Sequence, residues 1–303
     1  MRSVHTSLLD RLTLQFGAAS TRDIQKALQK KRFTTLRVNT LCADDPIVMN
    51  VFKQEGILFE RIKNIPHAFL IKNKNEKDLL ALELAKNGSF YLQGLSSILP
   101  PLMLDPKPGE KILDLCAAPG SKTSQMAAQM ENKGEMTAIE KDAIRIQKLK
   151  HTLDVQQVKN TIVLEGDAVS VCKTLKNDFD KILADVPCSA EGRMCLVNPR
   201  SYLYWSEKTS TGYAKEQRRL LRAAIPLLKP GGILVYSTCT LSPKENEEQI
   251  DWVLQEFPFL KTEPCASPLA GKYVRNNGFY LFPTEQHEGL FMTKLCSANL
   301  KKN

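Results

Sequence analysis

Two cysteines stand directly after apolar segments that have the character of buried strands. Cys188 follows FDKILADVP, and Cys239 follows GGILVYST. A lone cysteine is most often a buried structural thiol, and this holds for each of the two taken singly. Parallel strands, however, end at the same edge of a sheet, so we expect both thiols at one rim although 51 residues separate them. Two thiols at one rim indicate covalent catalysis.

Methylation of carbon 5 of a pyrimidine needs such thiols, because this carbon is too electron-poor to attack a sulfonium unaided. A thiolate that adds to carbon 6 turns the ring into an enamine-like nucleophile. Asp185, which begins the run DVPCS, would bond ring nitrogen 3 if it carries or shares a proton. A second thiol or another base must then help to remove the proton from carbon 5. The target base must also leave its stack to enter the site.

The segment LDLCAAPGSKT has the pattern of a ligand-binding turn between a buried strand and a helix. Small residues at Ala117, Ala118 and Gly120 allow backbone amides to approach a ligand, and the start of the helix favours an anionic group. The segment contains neither GxGxxG nor GKS or GKT, so the fingerprints of a dinucleotide site and of a P-loop both fail.

Acidic residues follow three further predicted strands, at Glu140, Asp167 and Asp185. Each alone is more often a solvated charge at a strand end, but three in series after a tight turn indicate a shared crevice. S-adenosylmethionine fits this pattern. Its zwitterionic end would lie at the turn, its ribose near Glu140 and its adenine near Asp167.

From residue 110 onward, predicted strands and helices alternate. Strands are predicted in KILDLCAAPG, EMTAIEKD, NTIVLEGDA, FDKILADVPC and GGILVYSTCTL, and helices across 121–132, 142–153, 213–228 and 245–257. This alternation predicts an α/β fold with a mostly parallel sheet and helices on both faces. Three later segments, FLKTEP, GFYLFP and GLFMTKL, are predicted to be antiparallel strands at one edge.

The first part of the chain reads as a small α+β unit. Helices are predicted within 4–32, 46–56 and 76–86, and strands in TTLRVNTL, ILFERI and AFLIK. We therefore divide the chain into an N-terminal unit over 1–88 and a larger unit over 89–303. The rigid turn at 105–109 leads into the alternating region.

Charge and composition narrow the class of protein. The chain has 303 residues, is 43% hydrophobic and carries a formal charge of +9. Residues 1–77 hold 14 basic and 7 acidic side chains, so most of the excess lies in the N-terminal unit and favours a polyanionic partner. We predict a cytoplasmic protein without a membrane span or metal site, because no long apolar run, signal sequence or CxxC pair occurs.

In combination, six segments resemble the Sun-type (NOP/Sun, NSUN) RNA cytosine-5 methyltransferases. The segments are LRVNTL (36–41), FYLQGLSS (90–97), LDLCAAPGSKTSQMA (113–127), DVPCS (185–189), QRRLLRAAIPLLKPGG (217–232) and YSTCTLSPKENE (236–247). The resemblance covers nearly the whole chain. It implies a class I methyltransferase domain with a Rossmann-like sheet, S-adenosylmethionine as methyl donor and an RNA substrate bound by the basic N-terminal unit.

The resemblance also implies roles for individual residues. Cys239 would attack carbon 6, and Cys188 would assist release; Cys188 is the rival nucleophile, because DNA cytosine methyltransferases use the cysteine after proline. Asp185 would act in catalysis and near the cofactor. The implied cofactor contacts are Cys116, Ala117, Ala118, Pro119, Gly120, Ser121, Lys122, Glu140, Arg145, Asp167 and Asp185. The chain departs from the usual DAPCSG, since it has DVPCSAEG, with the glycine at position 192.

Two other hypotheses remain at this point. An RNA-binding assembly factor would keep the fold without needing two rim thiols, and a methyltransferase acting on DNA or a small molecule would not need the basic N-terminal unit. We expect a monomer that acts on structured RNA, with transfer RNA slightly favoured over ribosomal RNA by analogy with the family.

Overall fold

The computed structural model describes residues 4–265 and 267–298. The ends of the two predicted units, residues 1–3 and 299–303, lie outside the described residues. Two helices open the chain, α1 (Val4–Phe16) and α2 (Ala18–Leu28). Gly17 separates them with a φ of 84°, a conformation that glycine adopts without strain. The apolar side chains of both helices pack into the main core with the larger unit.

A small antiparallel sheet follows, with strand order β2-β3-β1-β4. Its elements are β1 (Thr34–Val38), α3 (Asp45–Gln54), β2 (Phe59–Arg61), β3 (Ala68–Ile71), α4 (Glu76–Leu80), α5 (Glu83–Lys86) and β4 (Phe90–Leu92). Phe52, Phe69 and Phe90 are buried in a separate core. Strand β4 pairs with β1, so this sheet extends beyond the predicted boundary at residue 88.

Helix α6 (Leu95–Leu104) joins the two units and lies where no helix was predicted. Pro100 and Pro101 are inside it, and proline normally weakens a helix because it lacks an N–H donor. The carbonyl of Ser97, four residues before Pro101, accepts a hydrogen bond from Gln93 Nε2 instead, at 3.2 Å. The Gln93 side chain thus replaces the backbone hydrogen bond that Pro101 cannot donate.

The large sheet has the strand order β11-β12-β13-β9-β8-β5-β6-β7, and β10 pairs with β13. The strands are β5 (Lys111–Asp114), β6 (Glu135–Glu140), β7 (Thr161–Glu165), β8 (Phe179–Asp185), β9 (Leu228–Thr238), β10 (Leu260–Glu263), β11 (Lys272–Tyr273), β12 (Phe279–Leu281) and β13 (Leu290–Ser297). Strands β5 to β9 are parallel, and the later ones are antiparallel, as predicted.

The helices between these strands are α7 (Ser121–Gln129), α8 (Ala143–Val155), α9 (Ala168–Cys172), α10 (Glu207–Ala224) and α11 (Glu247–Glu256). Helix α10 begins earlier than the predicted 213, because the Ser206 side chain caps it by accepting from the Thr209 amide at 3.1 Å. None of the helices within 4–265 and 267–298 has the length and apolar character that a membrane span requires.

The strand order places the candidate site. Successive strands run outward from β5 through β6 to β7, and the chain then returns to β8 and β9 on the other side of β5. Open parallel sheets bind ligands at such a reversal, beyond the carboxyl ends of the strands. Asp114, Glu140, Asp185 and the Thr238–Cys239 step lie at these ends.

Candidate active site

The two predicted thiols meet beyond the ends of β8 and β9. Asp185 pairs with Ser237 in the parallel register of these strands, and the chain continues from each residue to its cysteine. Cys188 Sγ lies 3.2 Å from Cys239 Sγ. The predicted convergence of the two thiols at one rim is therefore observed.

A cavity of about 930 Å³ opens beside this pair. Of the described residues that line it, Cys239 is one and Cys188 is not, although Asp185, Pro187 and Lys122 are. Cys239 thus borders the space that a substrate would enter, and Cys188 contacts it from outside the lining. This order favours Cys239 over its rival as the attacking thiol.

Cys188 is held as a neutral thiol. Its hydrogen bond with Cys239 raises the pKa of Cys188 well above its usual range, and removal from water acts in the same direction. A protonated thiol at 3.2 Å is able to donate a hydrogen bond to the Cys239 sulfur. The two cysteines are therefore suited to different tasks.

Glu245, in the segment that follows Cys239, binds the loop that carries Cys188. Its carboxylate accepts from the Ser189 amide at 3.0 Å and the Ser189 hydroxyl at 2.5 Å, and Gln217 Nε2 donates to the same group at 3.0 Å. Gln217 also donates to the Pro187 carbonyl at 2.9 Å. Burial raises the pKa of Glu245. These bonds fix the loop that carries Cys188.

The departure at DVPCSAEG has a structural role. Glu191 is 1% exposed and accepts hydrogen bonds from Arg11 Nη2 at 2.6 Å and Trp205 Nε1 at 2.8 Å. Helix α1 thereby supports the loop that follows Cys188. A glycine at position 192 remains necessary, because an added Cβ there would come within 2.5 Å of the Gly289 carbonyl oxygen.

Asp185 forms an ion pair with Lys122 at the floor of the cavity. Lys122 Nζ lies 2.8 Å from Asp185 Oδ2 and donates to Ser97 Oγ at 3.0 Å, and Ser237 Oγ donates to Asp185 Oδ1 at 2.7 Å. Burial alone would lower the pKa of Lys122, but the charge of Asp185 and the hydrogen bond to it more than offset this and raise it. Lys122 is thus a site residue and not a solvated lysine.

Asp114, at the end of β5, is another acid in the cavity wall, and unlike Asp185 it is fully buried. It is 1% exposed, and Thr123 Oγ1 donates to its Oδ2 at 2.7 Å. Burial raises the pKa of Asp114 to about 7, with a further contribution from the charge of Asp185. A cationic group bound in the cavity would favour the ionised form.

This pKa predicts a pH-dependent stability. Between the ordinary value of 3.8 and about 7, folded Asp114 holds a proton that the unfolded chain has lost. Rising pH therefore lowers the free energy of unfolding across this window, by up to about 4 kcal/mol, and Asp114→Asn should remove that decline. Urea unfolding of both proteins at several pH values measures the difference. Parallel curves for the two proteins would show that Asp114 has an ordinary pKa.

The turn from Cys116 to Lys122 has the predicted form. The Ala117 amide donates to the Ile139 carbonyl at 2.9 Å, which holds the turn that joins β5 to α7 against strand β6. Gly120 has a φ of 102°, and a Cβ there would stand 3.1 Å from Leu149 and Thr152 of α8. Within residues 4–265 and 267–298, no side-chain hydrogen bond caps the start of α7, which suits a ligand that accepts from its amides. Cys116, Ala117, Ala118, Pro119, Ser121 and Lys122 line the large cavity.

One carboxylate oxygen of Glu140 is ion-paired but accepts no hydrogen bond among the described residues. Its Oε1 accepts from the amides of Lys141 and Asp142 at 2.9 and 3.1 Å. Its Oε2 is buried and, among the described residues, accepts no hydrogen bond, although Arg145 Nη1 lies 3.1 Å away. Arg145 Nη2 also donates to the Ala118 carbonyl at 2.7 Å. An orphaned buried acceptor beside this turn fits a ribose hydroxyl.

Asp167 lies in a smaller cavity with Glu140 and Arg145. This cavity is about 30 Å³, roughly the volume of one water molecule, so an adenine ring would have to widen it. Cys116, Arg145 and Pro187 border both cavities, which makes them neighbouring parts of one crevice. The structure thus groups the three predicted strand-end acids around a single turn.

Other site residues were not predicted from the sequence. They are Ser97, Asp114, Ser237, Glu245 and Arg193, which lines the large cavity with Cys239. Asp114 had a detectable signal, because it ends a strand in the same way as the three predicted acids. The others depend on contacts between distant segments, which no local pattern indicates.

Comparison with known proteins identifies the family. The sequence model described as 16S rRNA methyltransferase RsmB/F matches residues 101–296, which is more than half of the chain. The chain belongs to this family. Its matched region includes both cysteines, Asp185 and the turn that holds Lys122.

Curated relatives of this RsmB/F family member include RNA methyltransferases of two kinds. The chain is 39% identical over 208 residues to the mouse (Mus musculus) tRNA (cytosine(72)-C(5))-methyltransferase NSUN6, covering 65% of this chain and 43% of that protein. It is 34% identical over 289 residues to ribosomal RNA small subunit methyltransferase F of Pectobacterium atrosepticum, covering 92% and 59%. The chain therefore spans about half the length of the curated relatives it matches.

Solved structures agree with the fold of the RsmB/F chain. A methyltransferase homologue from Pyrococcus horikoshii superposes with a TM-score of 0.82 at 29% identity, covering 95% of this chain and 93% of that one. NSun6 from the same organism, solved with SFG, gives 0.84 at 25% identity, covering 97% and 98%. The predicted fold class, a class I methyltransferase with a mostly parallel α/β sheet, is confirmed.

Proposed function

We propose that the protein is an S-adenosylmethionine-dependent RNA (cytosine-5) methyltransferase. The observation that carries the proposal is the 3.2 Å thiol pair, with Cys239 facing a cavity whose floor is the Asp185–Lys122 ion pair. Membership of the RsmB/F family agrees with it, as do the RNA methyltransferase activities for which the relatives are named. Neither thiol would be needed by a protein that only binds RNA.

Cys239 is the proposed nucleophile. Its thiolate sulfur forms a bond to carbon 6 of cytosine, and the ring electrons move to carbon 5, which then takes the methyl group. Lys122 and Arg193 lie in the cavity wall with Cys239. After methyl transfer a base takes the carbon 5 proton, and the electrons of the carbon–sulfur bond return to Cys239.

Cys188 is proposed to act on the Cys239 sulfur. Its raised pKa keeps it protonated at neutral pH, and its sulfur is 3.2 Å away. A hydrogen bond from this thiol stabilises the negative charge that develops on the Cys239 sulfur as it leaves carbon 6. Loss of the thiol should therefore slow release of the methylated RNA.

The ion pair of Asp185 and Lys122 is proposed to hold the base. Both Asp185 oxygens have partners: Oδ1 accepts a hydrogen bond from Ser237 Oγ, and Oδ2 forms an ion pair with Lys122. As the thiolate adds, negative charge grows on ring nitrogen 3, and the pair supplies a proton or a strong hydrogen bond there. This extends the sequence-based role of Asp185 to include Lys122.

The residues present fit S-adenosylmethionine, which supplies an electrophilic methyl group when bound. The buried Oε2 of Glu140 suits a ribose hydroxyl, the uncapped start of α7 suits a carboxylate, and buried Asp114 suits an ammonium group. Asp167 and Arg145 complete the smaller cavity. A family neighbour was solved with SFG, an analogue of this donor.

The ribose contact gives a testable difference in cofactor affinity. Glu140→Gln removes a charged acceptor and should weaken S-adenosylmethionine binding by about tenfold or more, since hydrogen bonds to charged groups contribute ~1.5–3 kcal/mol. Isothermal titration measures the dissociation constant. Glu165→Gln is the matched control, because Glu165 pairs with Glu140 across the strands but is exposed and lines neither cavity. Equal affinities for both variants would exclude Glu140 from the site.

We propose a structured RNA as substrate, bound with help from the basic N-terminal unit. Transfer RNA as the preferred substrate, a monomeric state and a cytoplasmic location stay predictions. Transfer of a radiolabelled methyl group to total RNA, with DNA as competitor, tests the substrate class. Methylation of DNA in preference to RNA would contradict the proposal.

A further inference from the structure

The mouth of the large cavity carries a cluster of cations from separate parts of the chain. Lys31 and Arg32 follow α2, and Arg193 follows the Cys188 loop; all three line the cavity with Cys239. His287 and Glu288 line the cavity as well. A nucleotide with its base at the thiols would leave its backbone in this mouth.

Two of these arginines have fixed positions relative to the proposed nucleophile. The Gly192 amide donates to the Cys239 carbonyl at 3.0 Å, so Arg193 is one residue from a backbone bond to Cys239. Arg32 Nη2 donates to the Gly192 carbonyl at 3.2 Å, and the Gly289 amide donates to the same oxygen at 2.9 Å. Arg32 thus contacts the residue that precedes Arg193, and the two arginines are close enough for the charge of Arg193 to lower the pKa of Arg32.

The charge of the cluster is positive and only partly compensated. Glu288 contacts Arg193 Nε at 3.2 Å. Its negative charge raises the pKa of Arg193 and partly offsets the lowering of the Arg32 pKa by burial. Burial lowers the pKa of His287 to about 4, so it is neutral at pH 7. Arg32 Nε is buried and, within the described residues, donates to no partner. One carboxylate thus faces two arginines, and Lys31 is close by.

We propose that Arg32 and Arg193 together bind a backbone phosphate adjoining the target nucleotide, and that Glu288 occupies the phosphate's place when RNA is absent. The inference rests on the proposed RNA substrate. Arginine suits this role because its planar fork matches phosphate oxygens, and Arg193 is 60% exposed, which leaves its terminal nitrogens accessible. Phosphate contacts of this kind fix register without reading sequence.

The salt dependence of RNA binding tests the proposal directly. Each phosphate contact to a single strand contributes about 0.7 to the slope of log K against log salt concentration. The slope is negative, and Arg193→Gln should reduce its magnitude by about this amount and weaken binding by about tenfold at moderate salt. Glu288→Gln should tighten binding, because it removes the competing carboxylate. The probe is a fluorescent oligocytidylate of about twelve nucleotides, without S-adenosylmethionine.

Arg275→Gln is the matched control. Arg275 pairs with Asp251 at 2.5 Å and is 58% exposed, much as Arg193 pairs with Glu288, but it does not line the cavity. Its slope should equal that of the wild type. An unchanged slope in both Arg193→Gln and Arg32→Gln would overturn the proposal, as would equal changes in Arg193→Gln and Arg275→Gln.

A role confined to the Cys239 thiolate would give a different result. Arg193→Gln would then lower the methylation rate at saturating RNA with the salt slope unchanged, and this too would overturn the phosphate contact. The binding assay needs no turnover. A reduced slope in a protein that methylates no RNA would support the phosphate site and contradict the proposed function, so the two claims fail separately.

Discussion

Replacing Cys239 with alanine is expected to abolish methylation of RNA, with a fall in rate of at least about 10⁴-fold, because the carbon 6 adduct can no longer form. Cys239 lines the large cavity, whereas Cys188, whose sulfur lies 3.2 Å from that of Cys239, is not among the described residues that line it. Tritium transfer from labelled S-adenosylmethionine to total RNA measures the rate. Cofactor affinity should change little, which separates loss of chemistry from loss of folding.

Cys195→Ala provides the control for this prediction. Cys195 lies in the same loop region as Cys188, but it is not among the described residues that line the large cavity. The variant should methylate RNA at close to the wild-type rate. Full activity of Cys239→Ala would refute the assigned nucleophile, and an inactive Cys188→Ala without any adduct would then transfer the role to Cys188.

Replacing Cys188 with alanine is expected to trap the protein on RNA. The variant keeps Cys239, so attack and methyl transfer proceed, but the sulfur leaves carbon 6 without the neighbouring thiol that lies 3.2 Å away. Turnover should fall by about 10²-fold or more, the usual contribution of a positioned proton donor. A covalent protein–RNA species should accumulate and be visible on a denaturing gel.

The double variant lacking both thiols shows whether the trapped species depends on Cys239. It should form no adduct, and the cofactor should still protect it against unfolding. A double variant that still crosslinks would place the covalent bond elsewhere. Wild-type turnover in Cys188→Ala would remove this residue from the mechanism.

Much of the fold was predictable because its signals are local. Alternating buried strands and helices indicated the parallel sheet, and turn residues such as Gly120 marked the crevice. Helix α6 was not predicted because Pro100 and Pro101 are unfavourable inside a helix. The Gln93 side chain donates to the Ser97 carbonyl in place of the amide that Pro101 lacks. The small sheet recruits Phe90–Leu92 by pairing with β1, which is a long-range contact.

The site was predictable in part for the same reason. Strand ends place Cys188, Cys239 and Asp185 together whenever the strands are parallel neighbours, so pattern alone brought them to one rim. The residues that pair with Asp185 and hold the Cys188 loop come from other parts of the chain. Lys122 of helix α7 forms an ion pair with Asp185 at the end of β8, and Glu245 binds the Cys188 loop. Both contacts depend on how the elements pack and not on sequence spacing.

The central claim is that the Cys239 sulfur forms the covalent bond to the pyrimidine. RNA containing 5-fluorocytidine tests it most directly, because fluorine at carbon 5 cannot be removed as a proton and the adduct persists. Trypsin separates the two thiols, since Cys188 falls on the peptide 182–193 and Cys239 on the peptide 223–244. Mass spectrometry should find the nucleotide on 223–244, at Cys239. A nucleotide on 182–193, or none on either peptide, would contradict the account.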